Sequence, residues 1–338
     1  MTAEWRDINR LKIAMRAAMR GFLFSLGCAL WLSLTSVSAW AQSWPQKPVR
    51  FVVPYPPGGG ADMLSRILAQ TLTEGLEQPL IIENKPGCGT QIGTELAAKA
   101  APDGYTVLLV SPSFTNNVFL YDKLAYDVER DFQAVTLIAS VPLVLVVPTS
   151  LPAMNITELI QLAHTQGNMN YAIATGSSPH LAGEMLKLMG GFEALPVPYR
   201  GMAPAYPDLM SGRIQFLFDA LTTALPNIRA GKTRAIGVSS AKRSSVAPDI
   251  PTLAETGVPG FVADGWFGLV VPKGTPSDII KRLNAATLLA LNDPVTRAKV
   301  NQAGFDLIGV GPEEFTAFMK SDAARWGKLI KQVGIKGE

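Results

Sequence analysis

From Val49 onward the chain alternates short apolar runs with stretches of helical period, and this alternation restricts the fold more than any other feature. "VRFVVPY" reads as a buried strand. "ADMLSRILAQTLTEGL" reads as a helix with Met63, Leu64, Ile67, Leu68 and Leu72 on one face. "PLIIEN" is a second strand, "TELAAKAA" a short helix, and "PDGY" a turn into the strand "TVLLVS". This βαβαβ order is the grammar of a parallel sheet with right-handed crossovers. A second set follows: the strand "VPLVLVVP", a helix opened by Asn155 or Thr157, the strand "NYAIAT", the helix "LAGEMLKLMGG", extended "LPVPYRG", and the strands "IQFLFD" and "TRAIGVSS". The expectation is an α/β fold of two lobes, each a mainly parallel sheet flanked by helices. "GWFGLVVPKG" then reads as a strand leading out of the second lobe. After it come a helix with Thr275 as cap, Pro276 at the first helical position and Asp278 in the capping-box position, and a last helix striped by Phe315, Phe318, Met319, Trp326, Leu329, Ile330 and Val333. Those terminal helices most simply pack back on the first lobe. The chain would then cross between lobes twice, near 140–145 and 262–268, which makes a hinge with a cleft.

The N-terminus stands apart. Arg6, Arg10, Lys12, Arg16 and Arg20 precede an apolar run from Phe22 to Leu34, and "SVSAWAQ" offers small residues at Ala39 and Ala41. This is the layout of a secretory signal peptide over residues 1–41, with Met19 as an alternative start and an uncleaved anchor as the rival reading. Cys28 is a poor lipoprotein cysteine. Residues 1–41 hold five Lys/Arg and two Asp/Glu, while the whole chain holds 30 and 27. The remainder is therefore formally neutral, with no electrostatic footprint for nucleic acid. Only Cys88 remains after cleavage, so no internal disulfide forms. About 300 residues are enough to fold on an apolar core alone. The domain expectation is a leader at 1–41, a first lobe of 42–142 plus 264–338, and a second of 143–263, in a periplasmic monomer.

Two loops carry candidate chemistry. Pro57, Gly58, Gly59, Gly60, Ala61 and Asp62 leave a strand and open a helix. Unpaired backbone N–H groups at a helix start carry partial positive charge, and glycine lets an anion reach them. Thr175, Gly176, Ser177, Ser178 and His180 make a second such start, with Ser178 as N-cap and Pro179 as the first helical residue. One loop in each lobe would grip a small molecule with acidic ends. Ser111, Ser113, Tyr199, Arg200 and Asp219 stand at strand ends, where ligands of open α/β sheets bind. For Asp219 the possible partners are a ligand amine, a water or a hinge amide.

Enzyme readings fit less well. In a G-x-G-x-x-G test Gly58 and Gly60 fit but position 63 is methionine, and no lysine follows the glycines to reach a phosphate. His164 and His180 are the only histidines, and no G-x-S-x-G elbow surrounds Ser177 or Ser178. Two histidines and one cysteine are a poor zinc set. No catalytic residue, metal or cofactor is expected.

"WPQKPVRFVVPYPPGGGADMLSR", "ENKPGCGTQIGTELAAKAAPDGYTVLL", "SSPHLAGEML", "VPYRGMAPAYPDLMSGRIQFLFD", "PDIPTLAETGVPG" and "WFGLVVPKGTP" occur in this order. Through them, residues 44–336 resemble the Bug family of periplasmic solute-binding proteins, receptors of tripartite tricarboxylate transporters. The resemblance implies a type II periplasmic-binding-protein flytrap that closes on a small carboxylate and presents it to membrane permease subunits. It implies that loop 57–62 holds one carboxylate and loop 175–180 the other end, with Ser111, Ser113, Tyr199 and Asp219 at or near the pocket. Pro56, Cys88, Gly89, Thr90, Pro179 and Arg200 depart from the usual family residues, which puts ligand identity in doubt and leaves the fold. A sensing accessory is the alternative role, and a secreted hydrolase or dehydrogenase the remote one.

Overall fold

The computed structural model describes residues 44–199 and 201–337, with Met15 and Met19. Apart from those two methionines, the expected leader lies outside the described residues, as does Arg200. The chain divides into Met1–Gln46 and Lys47–Glu338, and the strands among the described residues belong to the second unit.

In chain order the elements are β1 (Val49–Val53), α1 (Gly60–Leu76), β2 (Leu80–Asn84), α2 (Gln91–Ala98), β3 (Thr106–Val110), α3 (Pro112–Leu120), α4 (Val128–Asp131), β4 (Phe132–Val141), β5 (Leu143–Pro148), α5 (Ile156–Gln166), β6 (Met169–Ile173), α6 (Ser178–Gly190), β7 (Ala194–Pro198), α7 (Tyr206–Met210), β8 (Phe216–Ala220), α8 (Leu221–Arg229), β9 (Thr233–Val238), α9 (Leu253–Thr256), β10 (Gly265–Pro272), α10 (Ser277–Asn292), α11 (Pro294–Gln302), β11 (Asp306–Val310) and α12 (Pro312–Val333). They build two sheets, ordered β11-β4-β10-β3-β1-β2 and β7-β6-β8-β5-β9.

The α/β, two-lobed architecture is the expected one, but both sheets are mixed rather than mainly parallel. Strands β2, β1 and β3 run parallel, while β10 is antiparallel to β3 and β4, and β11 to β4. In the other sheet β7, β6 and β8 are parallel, and β5 is antiparallel to β8 and β9. The cause is the exchange of chain between lobes. Strand β4 ends at Val141 in one sheet and β5 starts at Leu143 in the other, so a single residue, Pro142, separates them. A strand that leaves a lobe, and the strand that returns beside it, have no helical crossover to turn them parallel.

Ser239, just beyond β9, ties the two connections together. Its hydroxyl accepts the Leu143 N–H at 3.0 Å and donates to Asp264 Oδ1 at 2.7 Å. Its own N–H donates to Leu143 O at 2.8 Å, and its carbonyl accepts from Ala263 N–H at 3.1 Å. Residue 143 on the outward path and residues 263 and 264 on the return path thus share one serine.

The last helix corrects the expected packing. Phe315 and Met319 of α12 join the first-lobe core with Phe114, Leu108 and Trp266. One turn and more further on, Trp326, Leu329 and Ile330 join the second-lobe core with Tyr171, Phe216 and Leu181. So α12 bridges the lobes. It is pinned at its middle, where Trp266 Nε1–H donates to Asp322 Oδ2 at 2.8 Å and Arg325 donates to Asp322 Oδ1 at 2.9 Å. Thr275 also differs from its expected role. Its hydroxyl donates to Pro272 O at 2.7 Å and leaves the N-cap of α10 to Pro276.

A candidate anion-binding cleft

Loop 57–62 starts from the carboxyl end of β1. Gly58 has φ +85°, a left-handed conformation that glycine adopts without cost, and Gly59 is the N-cap of α1 with no side-chain cap. Asp62, the third residue of α1, turns back: its Oδ2 accepts the Gly58 N–H at 2.9 Å and the Arg66 Nε–H at 2.9 Å. Asn84 at the end of β2 donates to Asp62 Oδ1 at 2.9 Å and to Tyr55 O at 3.1 Å. The Arg66 guanidinium, with the Gly58 amide and Asn84, holds the Asp62 carboxyl down at about 2, against the opposing effect of burial. Asp62 is buried and bonded within the loop through both oxygens. Its hydrogen bonds to Gly58, Arg66 and Asn84 give the loop its shape.

Loop 175–180 repeats the device in the second lobe. Gly176 has φ +74°, Ser177 is the N-cap of α6, and His180 is the third helical residue. The Gly176 N–H donates to His180 Nδ1 at 3.1 Å, as the Gly58 N–H donates to Asp62. Burial holds the His180 imidazole below the usual histidine range, which keeps Nδ1 unprotonated and able to accept. The cap is Ser177, one residue earlier than expected, and its hydroxyl makes no capping bond. In both loops a buried side chain fixes the amide before the cap. At the start of α1 the Gly60 and Ala61 amides have no intrahelical acceptor, and at the start of α6 the Ser178 amide has none, whereas the Ser177 N–H donates to Ala174 O at 3.0 Å and Pro179 carries no N–H.

The two loops converge on the start of β10. A Cβ on Gly265 would lie 3.5 Å from Ser178 Oγ, so loop 175–180 rests on that strand. Two residues on, the Phe267 ring is 6.2 Å from Tyr55 and 6.1 Å from Phe305, both edge-on. Phe305 in turn lies 3.4 Å from a Cβ placed on Gly60. The lobes also meet where Gly304 faces Thr222 of α8, and where Gly176 faces Leu120 of α3 with only 2.7 Å to a built Cβ.

Ser111 and Ser113 belong to this place. Ser111 is the N-cap of α3, beside β1 at the end of β3, and its hydroxyl pairs with the Tyr55 hydroxyl. Burial pushes the Tyr55 phenol up, while the Ser111 and Ser113 hydroxyls act the other way. Tyr55, Phe267 and Phe305 were not singled out in the sequence. Only their position after β1, on β10 and before β11 reveals them.

Tyr199 and Asp219 each make hydrogen bonds within the second lobe. The Tyr199 hydroxyl donates to Asp208 at 2.7 Å, beside Arg213. Asp219 stands at the end of β8 as expected, but it is buried. It accepts from Tyr206 at 2.9 Å and from the Ala220 N–H at 2.8 Å. Burial raises its carboxyl to about 6. A cavity of about 860 Å³ lies apart from all of this, between α3, α4, α10 and α12, and none of the loop residues line it.

With this geometry in view, relatives become informative. Residues 64–335 match the model of the tripartite tricarboxylate transporter family receptor. The chain belongs to that family. Protein BugT of Bordetella pertussis is 35% identical over 300 residues, covering 88% of this chain and 92% of BugT. Among solved structures, R. palustris Rpa4515 with adipate has a TM-score of 0.80 at 35% identity, covering 87% of this chain and 99% of that one. MatC (Rpa3494) from Rhodopseudomonas palustris with bound malate has a TM-score of 0.76 at 30% identity, covering 85% of this chain and all of that one. The expected resemblance is thus correct, and the receptor is of the periplasmic binding-protein type.

Proposed function

We propose that this receptor captures a small carboxylate between its lobes, as a monomer in the periplasm, and delivers it to the permease subunits of a tripartite tricarboxylate transporter. The lobes are 42–142 plus 264–338 and 143–263, and residues 1–41 are the leader cut after Ala41. The observation that carries this reading is the pair of matching helix starts, one per sheet, built around Gly58 and Gly176 and converging on β10. The adipate and malate in the related structures support a carboxylate ligand.

The amides of Gly59, Gly60 and Ala61, behind Pro57, hold one carboxylate. Thr175 and Ser178 hold the other end, with Ser111 and Ser113 between them, while Gly176 turns the loop. Asp62 and His180 keep the two loops in shape. Preorganised amides in a cleft that excludes water on closing need no lysine to hold an anion. Binding rather than catalysis fits His180, because its Nδ1 already takes the Gly176 amide and Ser177 has no base bonded to it.

A thermal-shift panel tests this. The protein is unfolded and refolded to strip bound ligand, then scanned against small carboxylates and neutral solutes. A ligand at one hundred times its Kd adds about 2.7 kcal/mol, which raises Tm by several degrees for a chain this size. Shifts confined to carboxylates are expected. Shifts only with neutral solutes or nicotinamide cofactors would overturn the assignment.

A further inference from the structure

The cavity of about 860 Å³ in the first lobe takes no part in the cleft. Its floor is the first-lobe core itself. Phe114, Phe132, Ala134, Val270 and Met319 line it and belong to that core, and Ile280 of α10 lines it beside them. The rings of the floor are braced: Phe114 is edge-on to Phe132 at 5.1 Å and stacked on Tyr126 at 5.8 Å. Packed interiors leave few voids larger than a water molecule, so an apolar space of this size opening onto a core calls for an occupant. It falls within the roughly 300–1,000 Å³ of sites that enclose a small molecule. A floor sunk between α3, α4, α10 and α12 suits a compact body better than a flat partner surface.

The exposed lining carries three lysines and three carboxylates. Glu129 pairs with Lys320 at 3.3 Å and joins α4 to α12. Asp127 Oδ1 accepts the Glu129 and Arg130 N–H groups as the cap of α4. Among the described residues, Lys273, Lys281 and Glu313 make no ion pair within 4.0 Å. Two ammoniums against one carboxylate leave a single positive charge to balance. Ser277 and Lys281 stand one turn apart on α10, and Lys273 lies just before that helix.

We propose that this cavity is a second ligand site, separate from the cleft, for a monoanionic amphiphile: an acyl or similar apolar body over the core floor, with one acid group at Lys273, Ser277 and Lys281. Burial of the apolar body supplies the affinity, and the exposed lysines select the sign of the head. A dicarboxylate is refused, because its second charge would be set against phenylalanine, valine and methionine. The inference stands apart from the carboxylate reading of the cleft.

Octanoate and 1-octanol differ in the charge of the head and serve as probes. Calorimetric titration of the purified protein in excess adipate is expected to show about one octanoate bound per chain, about tenfold more tightly than octanol. Thr316→Trp, at an exposed position on the cavity wall, fills the space and weakens both probes at least about tenfold. Lys273→Gln combined with Lys281→Gln brings octanoate to the level of octanol and leaves octanol unchanged. A parent that binds neither probe, or binds octanol as tightly as octanoate, overturns the site. So does octanoate binding that adipate abolishes, which places octanoate in the cleft, or a Thr316→Trp variant that binds it as tightly as the parent. If the tryptophan variant does not fold, the double glutamine variant decides, and an unchanged preference for octanoate overturns the proposal. Any of these failures leaves the carboxylate reading of the cleft standing, and a failed carboxylate panel leaves this site standing.

Discussion

Gly58 and Gly59 are adjacent and answer to different requirements. Gly58 has φ +85°, so the backbone itself demands glycine there. Gly59 has φ −83° and ψ 173°, ordinary extended backbone, and a built Cβ meets only Pro56 O at 3.8 Å. The chain has no conformational need for glycine at 59. What the missing side chain leaves clear is the approach to the α1 amides. Gly59→Val is therefore expected to fold with nearly the parent Tm and to bind carboxylate at least about tenfold more weakly, because its methyls cover the helix start. Gly58→Ala is expected to cost about 1 kcal/mol of stability through strain. Titration and melting of the two variants check this. A valine variant that binds as tightly as the parent would remove loop 57–62 from the site. At this scale the loops were legible, since glycine runs and helix starts are local chemistry. The inward turn of Asp62 was not, because Asn84 reaches it from another strand.

At the scale of elements, strands read well and their directions did not. The ten-residue β4 is buried on both faces along most of its length, so it shows no alternation to separate it from its surroundings. β11 is half-exposed and short. Periodicity reports whether a run is extended and says nothing of which way it runs. The apolar stripe of α12 was visible, yet a stripe does not say that its two halves enter different cores. Asp322 is where this bridging helix is fastened, accepting from Trp266 on β10 and from Arg325, while Arg325 also donates to Val262 O at 2.8 Å. Asp322→Ala leaves a buried indole N–H unpaired and loosens α12 from the return path between lobes. A loss of about 2 to 3 kcal/mol is expected in urea unfolding. Asp322→Asn, which can still accept from Trp266, is expected to lose less. Equal losses in the two variants would show that the charge on Asp322, and not the bond to Trp266, holds the helix.

For the whole molecule, the point where the lobes join also carries buried acid. Asp264 takes the Ser239 hydroxyl that ties the two connections together. Burial raises its carboxyl to about 7. The Ser239 bond acts the other way, Asp306 at the start of β11 adds to the rise, and Arg325 of α12 opposes it. Burial raises Asp306 too, and Asp219 to about 6. In the unfolded chain these groups ionise near 3.8. Between about 4 and 7 the folded protein therefore binds protons that the unfolded chain does not, and stability falls as pH rises through that window. His180, held below its usual range, acts in the opposite direction near pH 6.5, so the parent curve alone does not isolate the hinge. Asp62 acts only below about 4, where its loop contribution is lost, and stays out of the window. The informative comparison is parent against Asp264→Asn. On going from pH 7.5 to pH 5, the parent is expected to gain on the order of 2 kcal/mol relative to the variant. Urea unfolding at pH 5, 6, 7 and 8 measures it. Parallel curves for the two proteins would mean that Asp264 is ionised in the fold, with the hinge serine bonded to a full negative charge at every pH.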